Sequence, residues 1–191
     1  MALSQEDILK IFKDTEALLE GHFILTSGLH SRTYFQCAKV FQYPWHAETL
    51  SRQTAANHTN QDIDLVISPA VGGIVFGQEV ARLLGVRHIF TERKDGQMSL
   101  RRGFTIQKGE RALVAEDVTT TGGSVKEVIA IAESSGAEIS AVTAVVDRSG
   151  GNVSFGVPYT SLFQMEVVNH KPENCPLCTA GHQAVKPGSR S

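Results

Sequence analysis

A chain of 191 residues with 41% hydrophobic and 20% charged content is long enough to bury a core of its own and has the balance of an ordinary globular domain. Its 18 Lys and Arg against 20 Asp and Glu leave a formal charge of −2, which argues against a generic nucleic-acid-binding surface. The start MALSQED has no signal-peptide core and no apolar run approaches the ~20 residues that cross a bilayer, so a cytoplasmic protein with no membrane partner is expected.

Ser4, with Asp7 three residues on, marks a helix start, and Ile8, Ile11, Phe12, Leu18 and Leu19 recur at roughly helical spacing, so a helix is predicted from Ser4 to a stop at Gly21. β-rich pieces at 23–25 and 33–36 flank Ser27-Gly28 and predict a small hairpin-like cap. A second helix is predicted over 45–56, after Pro44. From Asp64 onward strand and helix alternate. DLVIS (64–68), VRHIFTE (86–92), RALVAED (111–117) and ISAVTAVVD (139–147) are short apolar strands, while GIVFGQEVARLLG (73–85) and SVKEVIAIAESSG (124–136) are helical runs closed by glycine. That alternation predicts an α/β domain with a parallel sheet covered on both faces, whose ligands bind beyond the carboxyl ends of the strands. Two segments interrupt the rhythm. RKDGQMSLRRGFTIQKGE (93–110) is polar and basic and reads equally as a lid over an anionic ligand or as a solvated β-hairpin; DRSGGNVSFGVPY (147–159) is a Gly-rich loop.

The stretch LVAEDVTTTGGS (113–124) carries the chemistry. Glu116 and Asp117 fall where an apolar strand reaches the sheet edge, placed to bind a metal, act as a base or accept hydrogen bonds from sugar hydroxyls. Thr119, Thr120, Thr121 and Ser124 add hydroxyls, Gly122 and Gly123 let backbone N–H groups approach a guest, and the helix that follows favours an anion at its start. Carboxylates for a ribose beside amides for its phosphate describe a ribose 5-phosphate pocket. A nucleoside-triphosphatase loop would need Gly-Lys-Ser/Thr, and no GxGxxG follows a strand. A turn that merely caps the helix would explain Ser124 but not the acidic pair.

Strand, acid pair, Val118 and TTTGGS together resemble the signature of the type I phosphoribosyltransferases. GHFILTSGLHSRTYFQ (21–36), PAVGGI (69–74), TERKDG (91–96) and AVVDR (144–148) occur in the order expected of the orotate phosphoribosyltransferase family, and NCPLCTAG resembles tails in one bacterial branch of it. The resemblance covers about residues 15–180. It implies a sheet of about five parallel strands flanked by helices in a single domain, with a hood from about residues 1–40 plus a C-terminal segment and a core over about 60–165. It also implies transfer of phosphoribosyl from phosphoribosyl pyrophosphate to orotate in pyrimidine synthesis. Mg2+ is the implied cofactor, held mainly by the substrate rather than by direct protein ligation, and the implied assembly is a homodimer with shared active sites.

Residue by residue, the resemblance puts Glu116 and Asp117 on the ribose hydroxyls and Val118 to Ser124 around the 5'-phosphate. Gly72 joins the donor site, and Arg148, Thr120, Tyr34 and Phe35 take orotate. Arg93 and Lys94 reach pyrophosphate in the neighbouring subunit's site. The sequence departs from the common pattern at three places: Thr26 and Val71-Gly72 stand where many relatives carry cations, and DGQMS (95–99) lacks a lysine and histidine of the loop. Arg101 or Arg102 is the expected substitute for the missing loop charge, and glycine-turn amides for the missing cations. The alternatives are a transferase of the same fold for another base, or a module that only senses the donor.

Cys175 and Cys178, with His170 and His182 nearby, have the spacing of half a zinc site. With only three cysteines in the chain, the pair reads as reduced or packed thiols, and His22, His30, His46, His58 and His88 read as structural or surface groups.

Overall fold

The computed structural model describes residues 2–25, 27–165 and 167–187; Thr26 lies outside them. In chain order the elements are α1 (Gln5–Asp14), β1 (Leu18–Ile24), β2 (His30–Phe35), α2 (Ala38–Phe41), α3 (Pro44–Ala56), β3 (Leu65–Pro69), α4 (Gly73–Leu84), β4 (Arg87–Lys94), β5 (Gln97–Leu100), β6 (Arg111–Thr119), α5 (Gly123–Ser134), β7 (Glu138–Asp147), β8 (Tyr159–Gln164), β9 (Asn169–His170) and α6 (Pro176–Thr179).

The main sheet has the order β5-β4-β3-β6-β7-β8. Its five strands β4, β3, β6, β7 and β8 are parallel; the strand–helix alternation predicts the first four, β8 joins β7 without a mark in the sequence pattern, and β5 adds an antiparallel edge by folding back on β4 around Asp95-Gly96. The basic segment therefore begins as a hairpin, with Arg93 opposite Met98 and Lys94 opposite Gln97. Burial on both faces explains why the central strands read as unbroken apolar runs. Alternate residues serve opposite layers: Leu113, Ala115, Ala141 and Val145 pack towards α1, α3 and α4 with Phe12, Leu50 and Phe76, whereas Ala112, Val114 and Val142 pack against Val125, Val128 and Ile129 of α5.

The helix expected to run to Gly21 stops at Asp14. Its start is as read: Ser4 Oγ accepts from Asp7 N at 3.1 Å, and Asp7 Oδ2 accepts from Ser4 N at 2.9 Å. It ends because only Ile8 and Phe12 carry its buried stripe, and Glu16, next on that face, turns out at φ 52°. Leu18 and Leu19 then pair with Phe35 and Tyr34 as β1 on β2, so long-range strand pairing overrides helical spacing. β9 adds to the other side of β2, with His30 opposite His170, making a three-stranded antiparallel sheet from both ends of the chain.

Chain direction reverses at β3. The connection through α4 leads to β4 on one side, and the next parallel strand, β6, lies on the other. The crevice between the carboxyl ends of β3 and β6 is the topological switch point where such sheets take ligands. PAVGG leaves the first strand there and VTTTGGS the second. Among the described residues no helix is long and apolar enough to cross a membrane.

Candidate active site

β6 delivers the two acids into that crevice on opposite sides of the sheet plane. Asp117 meets the turn before α4 so closely that a Cβ at Gly72 would stand 2.5 and 2.6 Å from its carboxylate oxygens and 2.7 Å from its Cγ. A Cβ at Gly73 would stand 3.1 Å from Ala115 O and 3.3 Å from Glu116 Oε1. The two glycines expected to expose amides to a guest thus also make room for the acidic pair.

Glu116 is only 7% exposed, and its Oε1 accepts from Asp117 N at 3.1 Å. Burial first, then the neighbouring Asp117 charge, pushes its carboxyl well above the ordinary value of 4.5. In the unfolded chain the proton leaves near that ordinary value, whereas the folded chain keeps it to higher pH. The native state therefore binds more protons in this window and stability falls as pH rises through it. Glu116→Gln is expected to unfold at the same urea midpoint as the parent at about pH 4 and at a higher midpoint at about pH 8. Parallel pH dependences in the two proteins would show that Glu116 does not carry this proton.

The loop after β6 is shaped by Gly122. It sits at φ 75°, and a Cβ there would lie 2.6 Å from Val153 Cγ2 and 2.7 Å from Phe155 Cε1, so conformation and packing both require glycine. Thr120 and Thr121 are left exposed and α5 begins at Gly123. Thr119 to Val125, Val118, Glu116, Arg93 and Glu127 enclose a cavity of about 260 Å³. Thr120 and Thr121 also border a second cavity of about 510 Å³, lined by Leu25, Ser27, Leu29, Tyr34, Arg148 and Asn169. The two spaces meet at these threonines.

Arg148 follows β7, its backbone N donating to Thr119 O at 2.8 Å. Its guanidinium is half-buried, burial lowers it below the usual guanidinium range, and its Nε has no hydrogen-bond partner among the described residues. A cation held this way at a cavity wall calls for an anion.

A family model described as a phosphoribosyl transferase domain matches residues 44–173. An orotate phosphoribosyltransferase of Caldanaerobacter subterraneus subsp. tengcongensis is 53% identical over 188 residues, 98% of this chain and 99% of its own. One from Heliobacterium modesticaldum is 54% identical over 192 residues, 99% of this chain and 100% of its own. The chain belongs to the orotate phosphoribosyltransferase family. The fold agrees: a crystal structure of orotate phosphoribosyltransferase from Aeropyrum pernix matches with a TM-score of 0.70 at 24% identity, over 83% of this chain and 93% of that one.

Against this family frame the sequence-derived residues sort into three groups. Glu116, Asp117, Val118 to Ser124, Gly72, Arg148 and Tyr34 gather at the two cavities and the crevice beside them. Phe35 does not: it is 6% exposed and packs edge-on to Phe12 at 5.5 Å and against Phe163 at 6.3 Å. Tyr34 and Phe35 are neighbours on one strand and point to opposite faces, so only Tyr34 reaches the cavity. Of the basic residues, Arg93 lines the cavity formed by the threonine-glycine loop of its own chain, paired with Glu127 and donating to Gly96 O at 2.6 Å. Arg102 is engaged bidentately by Glu92 at 2.7 and 2.8 Å, while Lys94 and Arg101 are exposed and make no ion pair among the described residues.

Asn169 and Glu127 were not foreseen. Asn169 arrives beside Arg148 through β9, and the local sequence holds no signal for that pairing. Glu127 sits one turn into α5, where a surface carboxylate is unremarkable until Arg93 folds against it.

Proposed function

We propose that this chain transfers the 5-phosphoribosyl group of phosphoribosyl pyrophosphate to orotate, releasing pyrophosphate and forming orotidine 5'-monophosphate, a step of UMP biosynthesis. The observation that carries the reading is Arg148: a half-buried guanidinium whose Nε has no partner among the described residues, on a cavity that continues into the threonine-rich loop after β6.

Each residue has a task that its surroundings support. The amides and hydroxyls of Val118 to Ser124 receive the 5'-phosphate at the start of α5. Asp117 and Glu116 accept from the ribose hydroxyls, directly or through water, and hold the sugar as its anomeric carbon becomes cationic. Orotate lies in the second cavity, its carboxylate on the fork of Arg148, its ring beside Tyr34, with Thr120 at the junction with the sugar. Neither acid needs to move a proton, because the orotate ring nitrogen can attack already deprotonated.

Mg2+ fits the crevice, since the hard oxygen ligands of Asp117, beside the turn at Gly72, are of the kind it takes. The ion would be held mainly by the substrate and would supply charge neutralisation to the pyrophosphate leaving group. The protein acts as a homodimer in which Lys94, exposed beside the Asp95-Gly96 tip of the β4–β5 hairpin, serves the partner's pyrophosphate, while Arg93 serves its own chain. Arg101, exposed and without an ion pair among the described residues, supports the leaving group; Arg102, already paired with Glu92, orders the hairpin base.

Mixing the purified protein with Mg2+, phosphoribosyl pyrophosphate and orotate is expected to consume orotate absorbance and release one pyrophosphate per orotate lost. Consumption of another base with orotate untouched would replace this reading by a transferase of different specificity, and donor binding without turnover would leave a sensor.

A further inference from the structure

Four side chains converge away from the crevice. His22 of β1, His30 of β2, Cys175 and Cys178 place one ring nitrogen or sulfur each within 4.8 Å of all the others. We propose that they form a structural zinc site that fastens the C-terminal segment to the β1–β2 hairpin.

The spacing is that of one tetrahedral ion. Zinc–sulfur bonds of about 2.3 Å and zinc–nitrogen bonds of about 2.0–2.1 Å at tetrahedral angles separate sulfur from nitrogen by about 3.5 Å and two nitrogens by about 3.4 Å. Sulfur-to-nitrogen distances here are 3.5 Å for Cys175–His22, 3.8 Å for Cys178–His22 and 3.3 Å for Cys178–His30. The His22 Nε2 to His30 Nδ1 distance is 2.8 Å, so a shift of about 0.6 Å opens the nitrogen edge to the size the ion requires.

Backbone structure prepares each ligand. Cys175 precedes α6 and Cys178 lies three residues on, brought to the same side by one helical turn in which Thr179 N donates to Cys175 O at 3.1 Å. His22 and His30 stand diagonally across β1 and β2, where Ile24 pairs with His30. The tautomer of His22 is settled by an outer partner. His182 O, a pure acceptor, lies 2.9 Å from Nδ1, so Nδ1 carries the hydrogen and Nε2 presents its lone pair to the centre. His182, the histidine nearest the cysteine pair in sequence, thus contributes its carbonyl, and His22, distant in sequence, contributes the ring.

His22, His30 and Cys175 are buried and Cys178 is at the surface, a closed site with a solvent-side entry. Two thiolates and two imidazoles select zinc over the hard cations. Such an ion would join two parts of the chain already touching through β9 and through Val185 N donating to His22 O at 2.9 Å. Asn169 on β9 lines the cavity that holds Arg148, so the ion would steady that wall from outside.

The test uses the full chain, untagged and purified under reducing conditions without chelator. Elemental analysis is expected to find one zinc per chain, and cobalt exchange to give the thiolate charge-transfer and intense d–d bands of a four-coordinate sulfur–nitrogen site. Cys178→Ser, altering the exposed ligand, is expected to keep the circular dichroism of the parent but weaken zinc at least about tenfold in competition with a chromophoric chelator, the loss that even an outer-shell change can bring. Folded wild-type protein that is metal-free and gives no cobalt–thiolate band would overturn the proposal, as would a Cys175–Cys178 disulfide formed in place of metal, or unchanged affinity in Cys178→Ser.

Discussion

Asp117→Ala is expected to lower kcat/KM for phosphoribosyl pyrophosphate by about 100-fold or more, and Gly72→Ala to reproduce much of that loss without touching a charge. The first expectation follows from hydrogen bonding: an ionised acceptor contributes roughly 1.5–3 kcal/mol per bond, and two bonds to ribose hydroxyls lost together correspond to a factor of that size. The second follows from geometry. The Cβ added at Gly72 would lie within 2.7 Å of all three terminal atoms of Asp117, so no rotation about the last side-chain bond relieves the clash and the whole carboxylate has to leave its position. Gly72 itself has an ordinary helical backbone, φ −58°, so alanine introduces no conformational strain of its own there. Steady-state kinetics with the donor varied at saturating orotate check both variants. If Gly72→Ala turns over like the parent, the carboxylate's present position is not the one that holds the sugar.

That pairing of Gly72 with Asp117 illustrates what the sequence discloses and what it withholds. The strand–helix alternation after Asp64 is legible because buried parallel strands must be apolar on both faces and their helices must present one apolar stripe. The acidic pair and TTTGGS are legible as chemistry because few structural demands place carboxylates at the end of an apolar strand. Contact across the crevice is not legible, since PAVGG and EDVTTTGGS lie about 45 residues apart and meet only because β3 and β6 are neighbours in the sheet. The amino-terminal region misleads for a related reason. Leu18 and Leu19 fit a helical stripe, and only their partners on β2 decide for strand. The aromatic pair at Tyr34-Phe35 shows the limit of carrying residues over as a block, because strand alternation sends one ring to the cavity and the other to the core. His22 and His30 could not be matched to Cys175 and Cys178 by spacing, as more than 140 residues separate the two halves of that cluster.

Arg148→Met is expected to weaken orotate recognition by about 100-fold while leaving the fold as stable as before or more so. The guanidinium is half-buried, and among the described residues its Nε has no hydrogen-bond partner and no carboxylate forms an ion pair with it. A cation in that state costs stability, and a flexible apolar side chain of similar length removes the cost. In catalysis the sign reverses. A bidentate contact to the orotate carboxylate is worth two charge-assisted bonds, so kcat/KM for orotate should fall by about 100-fold, while KM for phosphoribosyl pyrophosphate stays within about twofold. Arg148→Lys should recover only a small part of the loss, because an ammonium supplies the charge without the planar fork. Thermal unfolding and two-substrate kinetics on the same samples separate the outcomes. An orotate KM unchanged in Arg148→Met would move orotate out of this cavity. A marked drop in its thermal midpoint would mean that the arginine is held by a partner and serves the fold instead of the substrate.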